Sequence, residues 1–443
     1  MRELKRVLDA RGIAILTVGS VIGSGIFLVP SGVLRDSGGS VGLATLVWVL
    51  GGILSFLGAL TYAEMGAMNP QAGGLYLYLR DGFGRAVAFG YGWTLFLVIG
   101  AGTVATLAVA STNYLAALVP MSPAVQKVVA ITLAFGTGML NVFGTDRSTT
   151  IVKWGTGLKL AAIALLVLVL PILGSGFRQV DRVWPAAITG STMSSLGLAL
   201  VSVLWAYEGW QYLTFMAGET IDPQRNFPKG LALGVVALIV IYVAAATAYI
   251  AGIGPTAVAA SSRVAADAAS TVIGPIWGKL IAIPIIVSMM TAAQANSLAS
   301  ARVYFAMARD GVFFPPMARI HPKYGTPAFA IVAAAVWAAV LAASGTFEVL
   351  LKYVIFVGWL FYGLGGLALI ALRRKQPDAS RPFKVPGYPV TPVLFALSGF
   401  AIVINTVYLD PPRGLIGLGA AALAIPVYYV WRAFSPGKGS AGG

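Results

Sequence analysis

The sequence predicts an all-α integral membrane protein with about twelve transmembrane helices. Of its 443 residues, 58% are hydrophobic and only 10% are charged, and the mean hydropathy is +0.85. A soluble globular protein carries about 25% charged residues. No polar stretch between the apolar blocks reaches the roughly 50 residues that a soluble domain needs. This excludes a soluble multidomain enzyme.

Apolar blocks long enough to cross a hydrocarbon core about 30 Å thick recur along the chain. Twelve can be placed, near residues 12–34, 41–66, 86–118, 124–144, 149–174, 190–217, 229–253, 274–308, 326–343, 348–372, 391–409 and 413–432. The first follows a short basic head and lacks a small-residue cleavage pattern, so we expect it to remain as a span. An even number of spans places both termini on one side of the membrane.

The lysines and arginines predict which side this is. The segments on the side of the termini hold most of the 30 Lys and Arg residues. The opposite segments hold only Arg35, Lys127, Arg178, Arg182, Arg263, Lys279, Lys352 and Arg413. The positive-inside rule therefore predicts cytoplasmic termini. The formal net charge of +15 then follows from topology and anionic lipid, and nucleic acid is not expected as a partner.

Two spans contain residues that interrupt a helix. Glycines cluster at mid-depth in span 1 at 19–27, and span 6 has Trp-Ala-Tyr-Glu-Gly-Trp at 205–210. Gly-interrupted spans at matching positions of two halves indicate a transporter binding site.

The positions of the two breaks predict how the chain is divided. The predicted division is a cytoplasmic tail 1–11, a five-span repeat 12–174, an inverted repeat 190–372, spans 11 and 12 at 391–432, and a cytoplasmic tail 433–443.

The two breaks offer opposite partial charges. Unwinding at Gly23-Ser24-Gly25 would leave the first N–H groups of the second half-helix unpaired at its positive dipole end, which suits a carboxylate. Unwinding in span 6 would free carbonyls that suit an ammonium group. Together they match the head of an α-amino acid. The alternatives are close helix packing by the small residues of span 1 and ordinary packing of the aromatic residues Trp205, Tyr207 and Trp210.

Two ionisable residues lie deep in spans. Glu208 is near the centre of span 6, where an acid marks a functional site unless it serves as a structural acid bound to loosened backbone. Lys159 is about 15 Å into span 5, too deep to reach the interface. It needs an internal partner, either Glu208 or the carbonyls and hydroxyls of spans 1 and 8, including Ser297 and Ser300.

The remaining polar residues are weaker indicators of a functional site. Glu64 and Glu219 lie near span ends, where water and arginines would satisfy them, so we interpret them as structural or gating residues. Asn296 would cap a local break or bond a neighbouring helix, and His321 lies in a loop and is expected to be solvated. With no cysteine and one histidine, thiolate, zinc and triad chemistry lack their residues, and no aspartate pair lies at depth. We therefore expect no catalytic residues, metal or cofactor.

These motifs resemble the amino acid–polyamine–organocation superfamily, and most closely its L-type amino acid transporter branch. The resemblance runs from Arg11 to about Arg432. It is carried by Gly-Ser-Gly-Ile-Phe at 23–27, Tyr-Ala-Glu at 62–64, Gly-Gly-Leu-Tyr at 73–76, the span 6 motif at 205–210, and Ala-Arg-Asp-Gly at 308–311. It implies a LeuT-like five-plus-five inverted repeat followed by two extra helices.

The resemblance also implies residue roles. N–H groups around Ser24, Gly25 and Ile26 would hold the substrate carboxylate, and carbonyls near Val21, Trp205 and Ala206 would hold its amine. Trp205 would act as an outer gate, and Lys159 would tie spans 1 and 8 together in place of a sodium ion. The predicted substrate site comprises Val21, Gly23, Ser24, Gly25, Ile26, Trp205, Ala206, Tyr207, Glu208 and Gly209.

The leading hypothesis is a sodium-independent L-amino acid transporter of the bacterial inner membrane that works by alternating access, as an exchanger or with proton coupling. The alternatives are an amino-acid-sensing receptor on a transporter fold and an exchanger of polyamines or cationic amino acids. The last alternative arises from Glu208, where several relatives have glycine or aspartate. An acid this close to the substrate would favour cationic amino acids or serve as a proton site. The cysteine that joins animal relatives to a heavy chain is missing, so we expect no heavy-chain subunit; amino acid and membrane lipid are the expected partners.

Overall fold

The computed structural model describes residues 6–187, 190–345, 347–409 and 411–434. Twelve spans follow one another in these ranges, which confirms the predicted fold class. They are span 1, Ala10–Val21 with Gly25–Asp36; span 2, Val41–Met68; span 3, Arg85–Leu118; span 4, Pro123–Leu140; span 5, Thr145–Leu173; span 6, Gly190–Ala206 with Trp210–Glu219; span 7, Pro223–Ile253; span 8, Pro275–Arg309; span 9, Ala328–Ser344; span 10, Phe347–Lys375; span 11, Val390–Leu409; and span 12, Pro411–Ala422 with Ala424–Phe434.

Length and composition qualify most of these helices as spans. In the described ranges, nine are long and apolar enough to cross a membrane individually, and the two halves of span 1 do so as a pair bent by 55°. The other two are span 9, with 17 residues, and span 6, which is interrupted. Residues 1–5 and 435–443 of the predicted tails lie outside the described residues.

Short helices connect several spans. They are Leu75–Phe83 after span 2, a 3-10 turn Gly176–Gln179 after span 5, Pro255–Ala260 and Val264–Val272 after span 7, and a 3-10 turn Pro315–Ala318 after span 8.

The two interrupted spans lie at the centre of the helix bundle. The first half of span 1 packs against spans 5, 7 and 8, and its second half packs against the first half of span 6. Spans 2 and 7, and spans 3 and 8, pack against each other around this pair. Span 11 packs outside, on spans 2 and 10. The interruptions are therefore shielded from lipid, the condition under which irregular backbone is tolerated at membrane depth.

Hydrogen bonds join some of the loops that the sequence analysis placed on the same side of the membrane. On the face nearer the N-terminus, here called the basic face, Leu8 donates to the carbonyl of Glu219 at 3.0 Å and accepts from the N–H of Ile221 at 2.8 Å. On the opposite face, the hydroxyl of Ser40 donates to the carbonyl of Val183 at 2.9 Å. Loops that the topology assigned to one side are thus joined to each other.

A second contact on the basic face joins the loop helix Leu75–Phe83 to the end of span 8. The hydroxyl of Tyr76 donates to Asp310 at 2.8 Å, and Arg80 pairs with Asp310 at 3.0 Å. Burial, and then the neighbouring carboxylate of Asp310, raise the pKa of Tyr76 above its ordinary value. The phenol therefore stays a proton donor at every physiological pH.

Glu64 links span 2 to the segment between spans 10 and 11. Its carboxylate accepts from Arg373 at 2.8 and 2.7 Å and from the N–H of Val385 at 2.6 Å, and it lies 3.6 Å from Arg381. The predicted arginine partners are present, but the side chain is fully buried, so the prediction that water would help satisfy it was wrong. The segment 373–390 folds back over the end of span 2 and covers the carboxylate.

We expect Glu64→Gln to lower the free energy of unfolding by about 1.5–3 kcal/mol, because it removes the buried charged acceptor of two half-buried arginines and of the N–H of Val385. Denaturant unfolding in detergent, followed by tryptophan fluorescence, measures the change. The control is Asp81→Asn, which removes a half-exposed partner of Arg80 and should cost within about 1 kcal/mol. Equal effects of the two substitutions would contradict the structural role of Glu64.

Candidate functional site

Span 1 is broken between Val21 and Gly25. Its first half ends with Ile22 in an extended conformation, and its second half begins at Gly25. The N–H groups of Phe27 and Leu28 are the first to bond back, both to the carbonyl of Ser24 at 3.1 Å. The N–H groups of Gly25 and Ile26 therefore precede the first intrahelical bond, at the positive end of the half-helix.

Span 6 is broken at Tyr207–Gly209. Its first half ends at Ala206, and after the turn the chain continues as a 3-10 helix from Trp210 to Glu219. Gly209 has a φ of +129°, and a Cβ there would lie 2.8 Å from the carbonyl oxygen of Ser20. Only glycine fits both this dihedral angle and this close approach to span 1.

The two breaks are in direct contact. A Cβ on Gly25 would lie 2.4 Å from the Cα of Ala206. The hydroxyl of Tyr242, on span 7, donates to the carbonyl of Ala206 at 2.8 Å and is 3.3 Å from that of Val21. The carbonyl ends of both first half-helices therefore converge on one point. The sequence analysis missed Tyr242, for which only its position at mid-span was a signal.

A small cavity lies between the breaks. It has room for about one water molecule, and its lining includes Ser20, Val21, Gly23, Ser24, Gly25, Thr103, Leu107, Trp205, Glu208 and Asn296. Six of the predicted site residues are among these. Thr103 and Leu107 of span 3 were missed, because a threonine and a leucine in an apolar helix carry no signal of their own. The cavity is closed on all sides by residues that are almost fully buried.

The other predicted site residues lie behind this lining. Ile26 and Ala206 are buried in the second half of span 1 and at the end of the first half of span 6. The hydroxyl of Tyr207 donates to the carbonyl of Trp48 at 3.2 Å, and its ring packs on Trp48 and Tyr242. Tyr207 therefore fastens span 6 to span 2.

The indole of Trp205 reaches across to the second half of span 1. Its Nε1–H donates to the hydroxyl of Ser24 at 3.2 Å, and the side chain is almost fully buried. This bond connects the end of one half-helix to the start of the other. The ring must move if the two halves separate, which is the geometry that a gate requires.

Lys159 is fully buried and bonded to carbonyl oxygens. Its Nζ donates to Gly19 at 3.0 Å, Ile22 at 2.6 Å and Ser288 at 3.2 Å. The hydroxyl of Ser288 also donates to the carbonyl of Ile22 at 3.0 Å. The ammonium thus sits at the negative end of the first half of span 1 and ties spans 1 and 8 together.

The serines that the sequence suggested as partners of Lys159 lie elsewhere on span 8. Ser297 and Ser300 line a second cavity with Gly100 and Tyr304, two to three turns beyond Ser288. Glu208 is bonded to other groups. The partners of Lys159 are carbonyls of spans 1 and 8, which were among the expected partners, and not the suggested hydroxyls, because the depth and rotation of span 8 bring Ser288 to the lysine.

Glu208 belongs to a polar cluster that links span 6 to span 10. Its Oε1 accepts from the hydroxyl of Tyr362 at 2.5 Å and from the amide of Gln211. Gln211 in turn accepts from the N–H of Gly209 at 3.1 Å and donates to Tyr362 at 2.8 Å. The acid is therefore both a wall of the cavity and a tie between the broken helix and span 10. Neither Gln211 nor Tyr362 was predicted.

The remaining polar residues fall outside the cavity lining described above. Glu219 pairs with Arg302 at 2.9 Å at the basic face, and both side chains are almost fully buried, so the arginine partner is present and water is not needed. The Nδ1 of His321 accepts from the N–H groups of Lys323 and Tyr324 at 3.3 Å, and its ring stacks on Tyr324. His321 shapes a loop.

Known proteins of similar sequence identify the family. A family model described as amino acid permease matches residues 8–428. The large neutral amino acids transporter small subunit 2 of Mus musculus is 31% identical, over 94% of this chain and 79% of its own length. The cystine/glutamate transporter of Homo sapiens is 31% identical, over 97% of this chain and 86% of its own length. The serine/threonine exchanger SteT of Bacillus subtilis is 29% identical, over 94% of each chain.

The match covers both broken spans, the cavity between them, Lys159 and span 10. It agrees with the resemblance that the motifs of spans 1 and 6 indicated. The chain therefore belongs to the amino acid permease family, and it is a multi-pass membrane transporter of amino acids and not an enzyme.

Proposed function

We propose that the protein exchanges L-α-amino acids across the membrane by alternating access, independently of sodium. The observation that carries this proposal is the closed cavity between two half-helix ends of opposite partial charge. The N–H groups of Gly25 and Ile26 and the hydroxyl of Ser24 suit a carboxylate. The carbonyls near Val21, Trp205 and Ala206 suit an ammonium group. A zwitterion bridging these ends would favour the closed state, and that difference in affinity is what drives a conformational switch.

Independence from sodium is supported by Lys159. Its ammonium bonds to three carbonyl oxygens at the junction of spans 1 and 8, which are the ligand type that a hard cation prefers. A charge that belongs to the chain cannot be exchanged between the two solutions. We therefore assign Lys159 the role of a fixed cation that holds span 1 in register.

Exchange is favoured over uptake because one relative that is similar over 94% of its length is an exchanger by name. The second candidate is proton-coupled uptake or a preference for cationic substrates, and Glu208 favours it. This acid lines the cavity, and within the described part of the chain only its Oε1 is engaged, by Tyr362 and Gln211. A buried carboxylate beside a substrate cavity offers a site for a proton or a cationic side chain.

We further propose that the protein resides in a bacterial plasma membrane with both termini cytoplasmic, since the basic face carries most of the Lys and Arg residues. The division into a first repeat 12–174 and an inverted repeat 190–372 is supported by the breaks five spans apart. Without cysteine, a disulfide to a heavy chain is impossible, and we propose that the transporter works without that subunit.

The decisive experiment is uptake of labelled amino acids into proteoliposomes, with or without internal amino acid, at two external pH values and with sodium replaced by choline. Exchange predicts uptake only when internal amino acid is present, with no effect of choline. Uptake into empty vesicles that grows with an inward proton gradient would support the second candidate. Saturable binding without flux would instead indicate a receptor.

Glu208→Gln separates the roles of this acid. We expect the variant to lose at least about tenfold in preference for cationic over neutral amino acids, or to lose the pH dependence of exchange, because a charge-assisted hydrogen bond is worth about 1.5–3 kcal/mol. Competition of a substrate panel at two pH values measures both. Tyr362→Phe, which removes a donor without changing charge, is the control. An unaltered profile and pH dependence would show that Glu208 is purely structural.

A further inference from the structure

A groove opens between the ends of spans 3, 4 and 9 that point away from the basic face. Its volume is about 600 Å³, whereas the space between the two helix breaks has room for about one water. Proteins bind small ligands in cavities of roughly 300–1,000 Å³. The groove is therefore large enough to hold a ligand of its own, at a distance from the proposed amino acid site.

The rim of the groove carries a cation and a free amide. Lys127 is exposed and lies four residues into span 4, which begins at Pro123, or about 6 Å along the helix. Asn113, on span 3, lines the same groove and is exposed as well. Neither side chain bonds to another residue in the part of the chain that the structure describes. The rim thus presents a positive charge and N–H donors that the protein does not use.

Two hydroxyls in the lining complement these donors. The hydroxyl of Thr112 donates to the carbonyl of Val109 at 2.7 Å, and that of Ser344 donates to the carbonyl of Leu341 at 3.0 Å. With their protons used in this way, their oxygens remain as acceptors. None of the described lining residues is acidic, so the groove offers no counter-ion to an ammonium group.

Below the rim the groove is apolar. Val109 lies nine residues before the end of span 3, about 14 Å along the helix, and Ala130 lies about 10 Å into span 4. Next to the lining in sequence, Val128 and Val340 are 62% and 47% exposed, so the surface around the groove is apolar as well. A ligand that fits both regions has a polar, anionic head and an apolar body.

We propose that this groove binds a phospholipid with an anionic, hydroxylated headgroup, of which phosphatidylglycerol is the simplest. The phosphodiester pairs with Lys127 and accepts from Asn113, and the headgroup hydroxyls donate to Thr112. The first methylenes of the acyl chains lie over Val109. An ethanolamine or choline headgroup would instead bring a second cation close to Lys127. Binding of this lipid does not depend on the proposed exchange of amino acids, and it can be measured without transport.

The test is native mass spectrometry of the purified full chain, titrated with phosphatidylglycerol or phosphatidylethanolamine of identical acyl chains. We expect the first phosphatidylglycerol to bind about fivefold more tightly or better. Lys127→Gln should weaken it at least about fivefold, and Lys127→Arg should retain it, because a guanidinium also pairs with phosphate. The matched control is Lys279→Gln. Lys279 is exposed and lies four residues after Pro275, at the start of span 8, but outside the groove, so its loss should change little.

Three results would overturn the proposal. The first is equal binding of the two lipids by the unmodified protein. The second is an equal loss of affinity in Lys127→Gln and Lys279→Gln, which would show attraction spread over the whole surface. The third is displacement of the bound lipid by glycerol phosphate, which would show a site for a soluble anion. If Lys127→Gln does not fold, Asn113→Leu decides, because it removes a donor at an exposed position and should weaken phosphatidylglycerol binding about threefold or more.

Discussion

Replacing Lys159 with methionine should reduce amino acid exchange at least about hundredfold. The substitution keeps an unbranched side chain that is one heavy atom shorter, but it leaves the buried carbonyls of Gly19, Ile22 and Ser288 without the charged donor that joins them. Each hydrogen bond to a charged group is worth about 1.5–3 kcal/mol, and every 1.4 kcal/mol is a factor of ten. Loss of two such bonds in the conformation that carries out exchange therefore corresponds to a reduction in rate of about a hundredfold or more.

Initial rates of exchange in proteoliposomes measure this prediction, and gel filtration checks that the variant is folded. The control is Lys153→Met, on the same helix but exposed, which should keep nearly full activity. Lys159→Arg should be impaired as well, because the planar guanidinium cannot take the place of the compact ammonium among three carbonyls. Exchange by Lys159→Met at the unmodified rate would refute the role of a fixed cation.

The second large effect is expected at Gly25, where even alanine should abolish substrate binding. A Cβ at this position would lie 2.4 Å from the Cα and 2.6 Å from the Cβ of Ala206. The obstacle is backbone of span 6 and not the tip of a flexible side chain, so the two breaks must separate. Separation displaces the N–H groups of Gly25 and Ile26 from the carbonyls that converge near Ala206, and the proposed zwitterion site is lost.

Thermal stabilisation by added amino acid measures binding, and exchange measures function. Gly32→Ala is the matched control on the same half-helix, because the nearest atom to its new Cβ is the Nη2 of Arg35 at 3.9 Å. It should bind normally and gain up to about 1 kcal/mol in stability, the usual benefit of alanine where the conformation is compatible. Normal binding by Gly25→Ala would place the site away from the helix breaks.

Much of the fold could be predicted from local sequence. Twelve apolar blocks, a cation asymmetry between loops, and glycines at mid-depth in spans 1 and 6 are signals that a membrane imposes on any stretch that crosses it. The breaks at Ile22–Ser24 and at Tyr207–Gly209 lie where those glycines indicated. Lys159 was correctly expected to bond inside the protein, because no side chain at its depth can reach water.

The partners of these residues could not be predicted in the same way. Glu208 bonds to Tyr362, 154 residues away, and Lys159 bonds to Ser288 and not to Ser297 or Ser300. Glu64 was expected to be satisfied by arginines and water, and it does bond to Arg373, but the segment 373–390 covers it and it is fully buried. In each case the answer depends on the rotation and depth of one helix relative to another, and a uniformly apolar helix carries little sequence information about either.

The sequence by itself determined that the chain spans the membrane about twelve times, which helices are interrupted, and which buried charges need partners. These properties follow from the cost of placing polar groups in hydrocarbon, which acts on each segment separately. Only the tertiary structure decided that Tyr242 joins the two breaks, that Ser288 receives Lys159, and that Asn296 and Thr103 face the cavity. These contacts depend on how side chains pack between helices, a property of pairs of segments that no single segment records.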